Sequence, residues 1–204
     1  MIDYVRGELT RLVRSLGVEA PIEFVNIPDR LSEVSLDCVG DGVLVKSIRF
    51  NVDGIINEYN EYLGGVGVPL GEFLMYIVEH EVDHIRMTEA VARDLGCTLM
   101  RSPIISNIIA GLEDVAIDLE LAIKYPWVRG YICGHSIKPT LPPYNPEEAV
   151  IIDEITSKLA KFENYNKLGD YELFLTTLII TKPEATRNIT STIKQKIMCR
   201  EGTF

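Results

Sequence analysis

The chain is poor in histidine and glutamine. Of its 204 residues only His80, His84 and His135 are histidines, and Gln195 is the sole glutamine. Low glutamine belongs to the composition of thermophile proteins, and a thermophile source is expected on that ground. No run of about 18 apolar residues occurs, so no transmembrane helix is expected. The opening Met1-Ile2-Asp3-Tyr4-Val5-Arg6 has neither the basic start nor the apolar stretch of a secretory leader, which makes a cytoplasmic location the expectation. A basic stripe is also missing. The formal charge is −10 and the pI about 4.8, and the nearest approach to a positive patch, Lys194, Lys196 and Arg200, reads as a solvated helix face. No nucleic-acid partner is expected from such a chain. The four cysteines, Cys38, Cys97, Cys133 and Cys199, contain no C-x-x-C pair, which argues against a cysteine zinc site. In a cytosolic protein they are expected as buried thiols, and a hyperthermophile source would admit an internal disulfide.

What is present is ordinary globular material. A hydrophobic fraction of 47% and a charged fraction of 25% suffice for one domain with a real core over residues 1–204. Ile2, Val5, Leu9, Leu12, Val13 and Leu16 recur at helical spacing before Gly17, predicting a helix over 2–16. A short strand is expected around Ile22 and Phe24. The alternation Val34, Leu36, Cys38, a Gly40-Asp41-Gly42 turn and the β-branched run Val43–Phe50 then predict a hairpin. Residues 54–63 suit a short helix, 70–95 a long one, and Ser102-Pro103 opens another over about 103–124. Residues 126–146 read as a long loop and 147–163, 168–181 and 184–199 as further helices. The expected class is α+β, with a small N-terminal antiparallel sheet, two active-site helices by residue 125 and a mostly helical C-terminal part over 147–204.

Within the long helix lies His80-Glu81-Val82-Asp83-His84, a match to H-E-x-x-H. In that pattern two histidines four apart share a helix face and hold zinc, while the glutamate between them is a general base. At average composition a chain of this length contains the pattern by chance roughly once in a hundred or fewer. On a helical wheel Phe73, Ile77, His80, His84, Met87 and Val91 share one apolar side, with Glu81 and Thr88 at its edge. Glu79, Asp83, Arg86, Glu89 and Arg93 take the opposite, solvent side. Two buried core histidines would each need partners for both ring nitrogens, which is costly to arrange without a metal.

A catalytic zinc usually has three protein ligands. A metzincin continuation is excluded, because Met87 and Ala90 stand where its glycine and third histidine belong. The next helix is apolar nearly all round, and acids on such a helix need a partner or a metal. Asp114 and Asp118 share a face there, so Asp114 can bind metal while Asp118 backs a ligand histidine. Glu113, with Ile117 four residues on, lacks such a helper. It is the alternate third ligand, with a solvated edge shared with Glu120 as its bland reading.

Over roughly residues 43–120 these features resemble the zincin metallopeptidases of the gluzincin and aspzincin kind. In the gluzincins the helix after H-E-x-x-H carries N-E-x-x-x-D, and Glu113-Asp114-Val115-Ala116-Ile117-Asp118 is similar to it, with aspartate at the ligand position and glutamate for asparagine. The resemblance implies a zinc peptidase acting on peptide or protein, with His80, His84 and Asp114 as ligands and Glu81 as the base. It further implies that Val43–Phe50 is placed like the edge strand that binds substrate. His135 or Tyr131, in the following loop, would support the oxyanion. The rival expectation is a metal-stabilised regulatory or binding module of the same fold without turnover. The oligomeric state is left open.

Overall fold

The computed structural model describes residues 1–135, apart from 29, 41 and 98–102, together with Cys199. The protein is α+β, with a three-stranded sheet near the N-terminus and five helices among the described residues. Helix α1, Ile2–Ser15, buries Val5, Leu9, Leu12 and Val13 along one stripe and ends at Gly17, whose φ of 81° glycine adopts without strain. Strands β1 (Ile22–Phe24), β2 (Ser32–Val39) and β3 (Gly42–Phe50) follow.

The sheet order is β1-β3-β2, and it is mixed rather than antiparallel as expected. Strand β2 pairs antiparallel with β3, with Ser32 opposite Phe50 and Val34 opposite Ile48, whereas β1 pairs parallel with β3, Phe24 opposite Phe50. The hairpin inserts β3 between the other two, and the segment returning from β1 crosses the strand end. Asn51 fixes that crossing: its backbone N–H donates to Leu31 and its side-chain amide to the Ile27 carbonyl at 3.1 Å. Val43–Phe50 is therefore the central strand, and β1 and β2 are the edges.

Asn51 also caps α2, Val52–Glu58, by accepting from the Gly54 N–H at 3.0 Å. A π-helical turn, Tyr59–Leu63, leads through Gly64–Val66 to α3, Leu70–Leu95, closed by Gly96 at φ 79°. Helix α4 spans Pro103–Lys124 and α5 Pro126–His135. The expected loop thus begins as a helix: Pro126 occupies a first-turn position, and Val128, which is fully buried, with the partly buried Trp127, Tyr131 and Ile132, packs on the core. Residues 136–146 and the helices expected over 147–163, 168–181 and 184–199 lie outside the described residues, Cys199 excepted.

Among the described residues helix α3 packs against α1, the hairpin and α4. Its buried surface is accordingly wider than one stripe and includes Leu74, Val78, Val82, Ile85 and Ala92. Glu79, expected in solvent, is buried, and its carboxylate accepts from Tyr125 Oη at 2.9 Å and from Lys124. Asp83 is half-buried and takes Arg86 Nη1 at 2.8 Å. At the start of α3, Phe73 is enclosed by the rings of Tyr59, Tyr76, Trp127 and Tyr131, with centroids 6.0–6.4 Å away.

The cysteines depart from the expectation of thiols. Cys38 on β2 is joined to Cys97 just after α3, and Cys133 on α5 to Cys199. No described helix is long and apolar enough to cross a membrane.

Candidate metal centre

Spacing of four residues on α3 places the imidazoles of His80 and His84 side by side, ring centroids 4.9 Å apart. Helix α4 packs across them and presents three acids, the adjacent Glu113 and Asp114 and, one turn on, Asp118. The Nε2 atoms of both histidines meet the same oxygen: His84 Nε2 lies 2.9 Å and His80 Nε2 3.3 Å from Asp114 Oδ1. The opposite ring nitrogens have carboxylates of their own. His80 Nδ1 is 3.1 Å from Asp118 Oδ1, and His84 Nδ1 is 2.9 Å from Glu113 Oε2.

Those backing carboxylates are themselves held. Tyr76 Oη donates to Asp118 Oδ1 at 3.1 Å, and Thr88 Oγ1 donates to Glu113 Oε1 at 2.9 Å. Asp118 is 1% and Glu113 4% exposed, whereas the Asp114 side chain is 49% exposed, so the open side of the cluster is the one on which Asp114 and the two Nε2 atoms converge. Glu113 is thus neither a solvated edge nor without a helper. The helper comes from α3, where Thr88 is one turn past His84, and Glu113 faces the nitrogen of His84 that points away from Asp114.

Electrostatics follow from this packing. Burial disfavours charge on His80, but the Asp118 carboxylate and hydrogen bonds with Asp114 and Asp118 outweigh it and push the imidazole up to about 10. For His84 burial is likewise outweighed, by bonds with Asp114 and Glu113, giving about 9. Low-dielectric surroundings push Asp114 up, and the two imidazoles more than reverse that, holding it well below the usual carboxylate range. Glu113 is raised by burial, partly offset by His84 and Thr88. Burial and the neighbouring Asp118 raise the Tyr76 hydroxyl.

His80, His84 and Asp114 form a group that can hold a metal ion, their ligand atoms all within 4.8 Å of one another. The fit can be tested against size. Ligands bound tetrahedrally at about 2.0–2.1 Å stand about 3.3–3.4 Å apart, and the histidine-to-Asp114 separations of 2.9 and 3.3 Å lie close to that. The donor set, two imidazole nitrogens and a carboxylate oxygen, suits a divalent ion of the zinc type.

Glu81 sits beside His80 on the same helix, 4% exposed, and its Oε1 accepts from Ser32 Oγ of strand β2 at 2.7 Å. Tyr131 Oη donates to Glu58 Oε1 on α2 at 2.8 Å, and burial together with that contact raises its hydroxyl. His135 is the last residue of α5, and its side chain lies outside the described residues. Sequence reasoning missed Thr88, Tyr76 and Ser32 as partners of the site. Thr88 carried a signal, four residues beyond His84 and at the edge of the same face. Ser32, 49 residues before Glu81, carried none.

No family model, no curated protein and no solved structure matches this chain at a significant level.

Proposed function

We propose that the chain is a zinc-dependent peptidase, with His80, His84 and Asp114 as the metal ligands and Glu81 as general base. The observation that carries this reading is the convergence of two Nε2 atoms on one half-exposed aspartate while each Nδ1 has a buried carboxylate of its own. In the metal-free protein Asp114 accepts from the Nε2–H of both imidazoles, and a bound ion would take the place of those two protons with all three ligand atoms already gathered.

Zinc held there would polarise a carbonyl and make water acidic near neutrality. The protein's own groups supply the rest. Asp118 and Glu113 fix the tautomer and orientation of the imidazoles so that Nε2 is the free donor. Glu81 takes the proton of the attacking water and delivers it to the leaving amine, so that water is added across the peptide bond and the base is restored. Peptide as substrate is supported by β2. It is the edge strand beside Glu81, and among the described residues no strand covers its outer side, which suits an extended chain bound by strand addition.

A metal-stabilised module without turnover is the second reading. It draws on Glu81 being almost fully covered and already engaged with Ser32. Its weakness is that a module of that kind has no need of the glutamate.

The two disulfides bear on location. Such bonds persist in oxidising compartments and, in the cytosol, chiefly in hyperthermophiles. The cytoplasmic expectation therefore holds together only with the thermophile one.

The test is zinc content and cleavage of a broad peptide library by wild type and Glu81→Gln. The reading expects stoichiometric zinc in both, cleavage by wild type, and a kcat lower by about 10²–10⁴ in the variant. Zinc without cleavage in wild type favours the module, and full activity in Glu81→Gln removes Glu81 from the mechanism.

A further inference from the structure

Strand β2 is fastened at one end to helix α3 and at the other to the residue pair just past it. Ser32, its first residue, meets Glu81, and Cys38, near its last, is bonded to Cys97. From Ser32 to Cys38 six strand residues at about 3.3 Å span about 20 Å. From Glu81 to Cys97 sixteen residues at about 1.5 Å, most of them helical, span about 24 Å. The strand therefore lies alongside the helix, one end meeting its middle and the other its C-terminal exit. Ser32 is opposite the fully buried Phe50 in the β2–β3 ladder, which turns its side chain to the helix-facing side of the sheet. The residue before it is held by Asn51, whose N–H donates to the Leu31 carbonyl at 2.8 Å.

We infer that Ser32 is a positioning residue for Glu81, an inference that rests on Glu81 being the general base. The side chain of a glutamate has three rotatable bonds and, unheld, samples many rotamers. A 2.7 Å bond from Ser32 Oγ to Oε1 selects one of them and leaves Oε2 as the oxygen that receives the proton. Among the described residues no other side chain donates to the Glu81 carboxylate, so the selection falls to Ser32 alone. The hydroxyl acts through Glu81, and the hydrogen bonds of the histidines and Asp114 do not include it, so its loss should leave the metal in place.

The test uses the full-length, zinc-loaded protein as wild type, Ser32→Ala, Ser32→Thr and Glu81→Gln. In protein carrying carboxyl-¹³C glutamate, the resonance lost in Glu81→Gln belongs to Glu81. It should move in Ser32→Ala and return towards its wild-type position in Ser32→Thr, which keeps a hydroxyl. In peptide cleavage Ser32→Ala should lower kcat about ten- to a hundredfold, with KM and zinc affinity within about twofold of wild type, and Ser32→Thr should recover most of the loss. An unmoved resonance or an unchanged kcat in Ser32→Ala overturns the proposal. So does loss of zinc along with kcat, which would make Ser32 part of the scaffold. If wild type cleaves nothing yet the resonance shifts and recovers as described, the contact stands and the peptidase reading falls. If wild type cleaves and Ser32→Ala does so equally well, the peptidase reading stands and the positioning role falls.

Discussion

His84 Nδ1 and Glu113 Oε2 lie 2.9 Å apart, with Thr88 Oγ1 bonded to the same carboxylate. That contact sorts the acids of α4 into two roles. Asp114 meets the histidines on their open side, while Glu113 and Asp118 stand behind them. A carboxylate behind a ligand imidazole raises its basicity and fixes its orientation, and removing such a partner typically costs 10–100-fold in metal affinity. Glu113→Gln and Asp118→Asn should each weaken zinc binding by about that factor, whereas Asp114→Ala should reduce it far more. Chelator competition at pH 7.5 distinguishes them. Equal losses in Glu113→Gln and Asp114→Ala would make Glu113 a ligand.

Metal binding should depend steeply on pH over an unusually high range. His80 and His84, raised to about 10 and about 9, both carry a proton at neutral pH in the metal-free protein, and zinc must displace two. Apparent zinc affinity should therefore rise by close to a hundredfold per pH unit from pH 7 to about 9. Histidines at their ordinary value of about 6.5 would give a plateau above pH 7. A plateau in chelator titrations at pH 7, 8 and 9 would show that the imidazoles are not clamped between carboxylates.

The same groups set the stability of the metal-free protein. Imidazoles whose folded values exceed the unfolded value of about 6.5 contribute stability that is whole below that pH and is lost as pH climbs through 9 and 10. Asp114, held low, contributes stability that is whole above about pH 4 and is lost on acidification below that. In EDTA the urea midpoint should fall between pH 6.5 and 10, and zinc should remove most of that fall. A midpoint rising with pH over this range would contradict the arrangement.

Two contacts hold the frame around the site. Phe73, fully buried among four rings, should cost about 3–5 kcal/mol on replacement by alanine. The Cys38–Cys97 bond closes a span of 59 residues, for which chain entropy gives about 4 kcal/mol, so Cys38→Ser/Cys97→Ser should be destabilised by about that amount. Urea denaturation of the zinc-loaded protein measures both. A loss below about 1 kcal/mol for the cysteine pair would mean that the bond does not constrain the unfolded chain.

Local signals carried much of this fold. The stripe of Val5, Leu9, Leu12 and Val13 located α1, and the turn between Val39 and Gly42 located the hairpin, because each depends on neighbours in sequence. The parallel pairing of Phe24 with Phe50 did not show, since nothing near Ile22–Phe24 indicates that the hairpin's second strand will insert beside it. The burial of Glu79 is hidden from the sequence for a related reason. A helical wheel divides core from solvent along one line, and α3 is covered on more than one side, where Tyr125 and Lys124 of a distant segment satisfy the carboxylate. In the site, the spacing of His80 with His84 and of Asp114 with Asp118 was legible as helix geometry. The Glu113–His84 contact was not, because its helper Thr88 lies across the helix interface and periodicity within α4 looks only along α4.

Anomalous scattering measured on both sides of the zinc edge, from crystals of protein purified without added chelator, tests the metal centre most directly. One peak bounded by His80 Nε2, His84 Nε2 and Asp114 Oδ1, present above the edge and absent below it, is the expected result. No peak there, or a peak whose ligands include Glu113 in place of Asp114, would contradict it.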